Sequence, residues 1–92
     1  MGRRRMPYFV VILEAIPGVQ PTQEQRQSHL NHLASLRSRG ILHAAGRFKD
    51  GTGGLYILEA KDMEEAKNTA WSDPYVKLGL RKCSVKEWER AY

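Results

Sequence analysis

Pro7 to Glu14 reads Pro-Tyr-Phe-Val-Val-Ile-Leu-Glu, a run of aromatic and β-branched residues that fits a strand. Apolar and polar positions do not alternate along it, so the strand must be covered on both faces. In a chain of 92 residues that constrains the fold severely. A domain of this size buries only about 60–65% of the surface its unfolded chain exposes, and it gains from a partner subunit. The run is also far short of the roughly 18 apolar residues that cross a bilayer, and no other stretch is longer.

The segments around this strand follow a regular order. Residues 1–6 read as a flexible basic tail ahead of a domain spanning 7–92. After the strand, Pro17-Gly18 and Pro21 mark a loop. Thr22 and Gln25 then stand at capping-box spacing, with Glu24 at the positive end of the dipole, and predict a helix that stops at Gly40. Ile41 to Phe48 and Gly54 to Ala60 predict two strands joined by the turn Lys49-Asp50-Gly51-Thr52-Gly53. Asp62, with Glu65 three residues on, predicts a second helix with Met63, Ala66 and Ala70 on its apolar face and Trp71 at its end. Asp73-Pro74 opens a short helix to about Gly79, and Arg81 to Trp88 predicts a fourth strand. The order β-α-β-β-α-β is the ferredoxin-like arrangement, an α+β fold with an antiparallel four-stranded sheet and both helices on one face. The other sheet face would stand open, yet the first and third strands are apolar on both sides. A homodimer with two sheets packed face to face satisfies that requirement.

The first helix carries the unusual residues. With His29 at zero and about 100° per residue, Leu36, Leu33 and Leu30 fall at about −20°, 40° and 100°. The apolar stripe therefore centres near Leu33 and faces the sheet. His29 lies inside the stripe, Arg26 falls at about 60°, and His32 sits at the edge, near −60°.

Charge and cysteine content narrow the class further. The formal net charge is +5, but Arg3, Arg4 and Arg5 supply three of those charges, and 5 − 3 leaves 2 for the rest. Nucleic-acid binding loses most of its support on that count. RRM domains share the element order, but they stack bases on aromatics of the third strand, and here Tyr56 stands alone between Leu55 and Ile57. Gly51 to Gly54 lacks the Lys-Ser/Thr and the following helix of a phosphate loop. Cys83 has no partner for an internal disulfide and reads as a small residue on a strand in a reducing, cytoplasmic setting.

Several segments together resemble the YciI-like (YCII-related) family. They are Arg26-x-x-His29-Leu30-x-x-Leu33, Gly40-Ile41-Leu42-x-x-Ala45-Gly46, Ala66 and Trp71 leading into Asp73-Pro74-Tyr75-Val76, then Gly79 and Ser84-Val85-Lys86. The resemblance covers nearly the whole chain from Met6. It implies a dimeric α+β barrel of ferredoxin-like subunits and an active site on the helix histidine and the aspartate of Asp-Pro-Tyr-Val, matched here by His29 and Asp73. Some relatives are dehydrochlorinases acting on hydroxyquinone-type intermediates. The chain departs from the pattern in two places: Arg47 stands where many members have proline, and the hairpin turn at Lys49 to Gly53 is short.

Each site residue also has a purely structural reading. A histidine on an apolar face can simply be hydrogen-bonded under the sheet, whereas as acid or base it exploits a titration near pH ~6.5. Asp73 before Pro74 is a natural helix N-cap; a capping carboxylate still has a second oxygen with which to orient His29 and stabilise its imidazolium. No serine or cysteine can be set beside the pair from the sequence, which favours proton transfer over covalent catalysis. Arg26 would bind an anionic substrate group or pair with an acid such as Asp73. Tyr75 is assigned to substrate binding, and Tyr75 and Trp71 read as core and pocket wall. His29, His32 and His43 offer possible metal ligands but lack acids or cysteines at familiar spacing, so neither metal nor cofactor is assigned. Two functions follow. One is a small-molecule enzyme, lyase- or hydrolase-type, with a His29–Asp73 dyad; the other is a dimeric ligand-binding or accessory domain without catalysis. Neither involves nucleic acid or membrane.

Overall fold

A computed structural model describes residues 6–92. Of the basic tail expected over residues 1–6, all but Met6 lies outside the described residues. The elements run β1 (Tyr8–Ala15), α1 (Gln23–Ser38), β2 (Leu42–Arg47), β3 (Gly53–Glu59), α2 (Met63–Trp71), α3 (Pro74–Lys77) and β4 (Arg81–Trp88). The four strands form one sheet in the order β2-β3-β1-β4, and every neighbouring pair is antiparallel. This is the ferredoxin-like arrangement expected from the element order. No described helix is long and apolar enough to cross a membrane.

The two strands without polar alternation, β1 and β3, occupy the middle of the sheet. Their side chains divide strictly by parity. Phe9, Val11 and Leu13 of β1 and Tyr56 and Leu58 of β3 are buried on the helix side, with Ala66 and Ala70 of α2. Leu33, Val85 and Cys83 pack against this cluster. Burying a large apolar side chain contributes about 1.5–3 kcal/mol, so this layer holds the sheet to its helices. On the other side Tyr8, Val10, Ile12, Leu55 and Ile57 are only half-buried. Trp71 is 46% exposed and lines no pocket among the described residues, so it is neither core nor pocket wall.

The local signals act as expected. Thr22 Oγ1 accepts from Gln25 N at 3.1 Å while Gln25 Oε1 accepts from Thr22 N at 2.8 Å, a complete capping box. Asp62 caps α2 through Glu65 N, but the Glu65 carboxylate accepts from Lys61 N, one residue earlier than a capping box requires. Gly53 has a φ of 125°, and a Cβ there would lie 1.9 Å from the Leu13 carbonyl oxygen. Only glycine lets β1 and the β2–β3 hairpin close at that corner.

Candidate functional site

Asp73 is the one buried charged residue among the described ones, fully shielded from solvent. Such a charge needs partners. As N-cap of α3 it accepts from Tyr75 N at 2.9 Å on Oδ1. His29 Nδ1 lies 2.9 Å from both Oδ1 and Oδ2. The Tyr56 hydroxyl donates to Oδ2 over a longer 3.4 Å. A carboxylate only accepts, so His29 presents a proton on Nδ1, and in the neutral ring Nε2 is the acceptor. Capping and orienting the histidine are thus done by the same side chain, and the cap of a helix only four residues long positions the carboxylate.

Tyr75 holds the pair from a second direction. Its ring stacks on the His29 imidazole with centroids 4.0 Å apart and planes 3° from parallel. An imidazolium formed on His29 would sit against an electron-rich face as well as the Asp73 charge. The Arg81 guanidinium carbon lies 5.3 Å from the centre of the same ring.

The dyad opens onto a cleft of about 540 Å³, within the range of small-molecule sites. The cleft lies between the first half of α1 and the hairpin end of β2 and β3. Arg26, His29, Tyr56 and Tyr75 line it together with Leu30 and Leu33. The apolar stripe of α1 therefore serves two purposes. Leu36 is buried and Leu33 packs on the core, whereas Leu30 is 44% exposed at the cleft wall. The expectation that the whole stripe packs on the sheet fails at Leu30, which borders the open cleft instead.

Arg26 borders the cleft, but Asp73 takes its bonds from His29, Tyr56 and Tyr75 instead, so the alternative pairing with Arg26 is not made. The three histidines do not cluster. His43 stands on β2, 3.4 Å from Glu59 and edge-on to Tyr8. No group of three or more His, Cys, Asp and Glu side chains that could hold a metal ion occurs among the described residues. His32 Nε2 is buried without a hydrogen-bond partner.

Tyr56 and Arg81 belong to the site but were not singled out by their residue type. The signal was parity. Tyr56 shares its face with Leu58, and Arg81 shares its face with Cys83 and Val85, so each is a polar group on the helix-facing side.

Burial, reinforced by the Asp73 charge, raises the Tyr56 hydroxyl well above its usual range and keeps it a donor. The same causes push the Cys83 thiol up to about 11. With so little thiolate at neutral pH, Cys83 should react with iodoacetamide about a hundredfold more slowly than a free thiol, as measured by mass spectrometry over time. For His32, burial lowers the imidazole below 6.5, against the smaller opposing pull of the Asp73 charge and the Thr69 backbone. The unfolded chain then binds the proton more readily, so this stability is full above about pH 6.5 and is lost as pH falls below it. Urea midpoints at pH 7.5 and 5.5 should fall further apart in the wild type than in His32→Leu.

A four-stranded antiparallel sheet in ferredoxin-like order, backed by helices on one face, defines a class of small α+β proteins. The chain belongs to the YCII-related family, whose domain pattern matches residues 6–89. It is 37% identical over 67 residues to the uncharacterized protein YjpA of Bacillus subtilis (strain 168), which covers 73% of this chain and 79% of that protein. Its fold is similar to the 5-chloro-2-hydroxyhydroquinone dehydrochlorinase TftG of Burkholderia phenoliruptrix AC1100, solved in complex with 2,5-dihydroxybenzoquinone. That match has a TM-score of 0.69 and 25% identity, and it covers 91% of this chain and 95% of the other.

Proposed function

We propose that the chain is a small-molecule enzyme in which His29 and Asp73 form a general acid–base pair for lyase or dehydrochlorinase chemistry. The observation that carries this reading is His29 Nδ1 held 2.9 Å from both oxygens of a fully buried Asp73 beside an open cleft. The bare Nε2 takes a proton from the substrate, and Asp73 stabilises the resulting imidazolium without moving. The dehydrochlorinase among its structural neighbours supports the reaction class.

A chlorinated hydroxyhydroquinone would lose HCl in two proton transfers. Nε2 accepts a ring hydroxyl proton and returns it to the carbon that bears chlorine. Loss of a second hydroxyl proton then forms the quinone carbonyl and expels chloride. The net change is loss of HCl, with no external oxidant. Chloride release from 5-chloro-2-hydroxyhydroquinone and related halogenated hydroquinones tests the reading. Turnover by the wild type that disappears in His29→Ala is expected. A wild-type rate across the series no higher than that of folded His29→Ala would overturn it.

We also propose a homodimer joined through the outer sheet face. Tyr8, Val10 and Ile12 of β1 and Leu55 and Ile57 of β3 form a contiguous apolar surface that none of the described helices covers. Sedimentation should give a dimer for the wild type and a monomer for Val10→Asp. A wild-type monomer at micromolar concentration would contradict it.

A further inference from the structure

The cleft is lined by three arginines and no carboxylate. Arg26 projects from α1, Arg47 from the end of β2 and Arg81 from the start of β4. Among the described residues none of the three is in an ion pair. The Arg81 guanidinium instead lies over the Tyr75 ring and donates to the Leu80 carbonyl at 2.9 Å. Three like charges around one concavity repel one another and make it attractive to an anion.

Their placement says more than their number. The strands β2 and β4 are the two edges of the sheet, with β3 and β1 between them. Three interstrand steps separate their backbones by about 14 Å. Arg47 pairs with Gly54, and Arg81 pairs with Ala15, two residues beyond Leu13; Gly54 and Leu13 are buried on the helix side. Both arginines therefore rise on the helix side of the sheet, from opposite edges, and meet opposite ends of whatever occupies the space between. That space is apolar, with Leu13, Leu33 and Phe48 among its walls.

We infer that the cleft takes a small ligand with an apolar body and an oxyanion group at each end, one met by Arg47 and the other by Arg81, with Arg26 beside the acid–base pair. This deepens the reading of the cleft as a substrate site and rests on it. A guanidinium offers paired donors to a carboxylate or enolate, which fixes the ligand's long axis as well as its charge. The ligand is then held across the sheet with its middle near His29.

Calorimetric titration with three benzene derivatives tests this: terephthalate, the neutral isostere terephthalamide, and benzoate with one charge. Terephthalate should bind about tenfold or more tightly than either of the others. Arg47→Gln and Arg81→Gln should each bring terephthalate close to benzoate, and Arg81→Lys should recover part of the loss. Exposed Arg37→Gln should change nothing, which excludes a simple net-charge effect. His29→Gln should keep terephthalate binding within a few-fold. If the arginine variants lose binding while His29→Gln retains it, the anion clamp stands whatever becomes of the acid–base chemistry. Equal affinity for terephthalate and terephthalamide, no saturable terephthalate binding at millimolar concentration, or unchanged binding in both folded arginine-to-glutamine variants would overturn it.

Discussion

Replacing Asp73 with asparagine is expected to lower turnover by roughly 10³–10⁴-fold while leaving the protein folded, with a melting temperature within a few degrees of the wild type. Asparagine is as good an N-cap as aspartate, so its oxygen can still accept from Tyr75 N and α3 keeps its start. What changes is the face turned to His29. One oxygen becomes an amide that donates, and the imidazole must then present an acceptor at Nδ1. The proton moves to Nε2, which can no longer act as a base, and no negative charge remains to stabilise an imidazolium. His29→Ala removes the base itself and should cost a comparable factor, about 10²–10⁴-fold. Combining the two changes should cost little more than either alone, because the residues act as one unit. Steady-state kinetics on whichever substrate the wild type turns over, with melting curves for each variant, checks all three outcomes.

Asp73→Ala should behave differently, because it strikes the fold as well. It removes the cap and leaves three donors facing a buried space: His29 Nδ1–H, Tyr75 N–H and the Tyr56 hydroxyl. A lost cap costs about 0.5–2 kcal/mol, and each stranded buried donor costs about 1–3 kcal/mol. Water entering the space left by the carboxylate offsets part of this, so a net loss of about 3 kcal/mol is expected. For a domain of this size that lowers Tm by roughly 10–25 °C. Thermal unfolding followed by circular dichroism measures it, and equal stability of Asp73→Ala and Asp73→Asn would contradict the donor count. The contrast between the two substitutions separates the aspartate's structural work from its chemical work.

The order of elements was legible because the signals are local. The Thr22–Gln25 box, the Asp-Gly turn at 50–51 and the unalternating run from Tyr8 to Leu13 each carry their information within a few residues. His29 and Asp73 stood out for a different reason: one is polar on an apolar stripe, and the other precedes proline. That they meet is a tertiary fact, since 44 positions separate them. Periodicity places Leu30 against the sheet, but it cannot reveal that a cleft opens beside that turn of the helix. Trp71 failed as a core residue because it lies about 100° round the helix from Ala70, which takes the buried face at the end of α2. Tyr56 and Arg81 acquire meaning only once strand parity and the order β2-β3-β1-β4 bring them to the same face of the sheet.

The protonation of the His29 ring is the most direct test of the central claim, because it needs no substrate. Nitrogen-15 NMR of the ring, with correlations to its carbon-bound protons, distinguishes the two tautomers at a pH where the imidazole is neutral. The arrangement predicts a protonated Nδ1 and a bare Nε2 in the wild type, with the opposite tautomer in Asp73→Asn. A wild-type His29 carrying its proton on Nε2, or a tautomer that does not respond to Asp73→Asn, would contradict the account of His29 and Asp73 as an oriented acid–base pair.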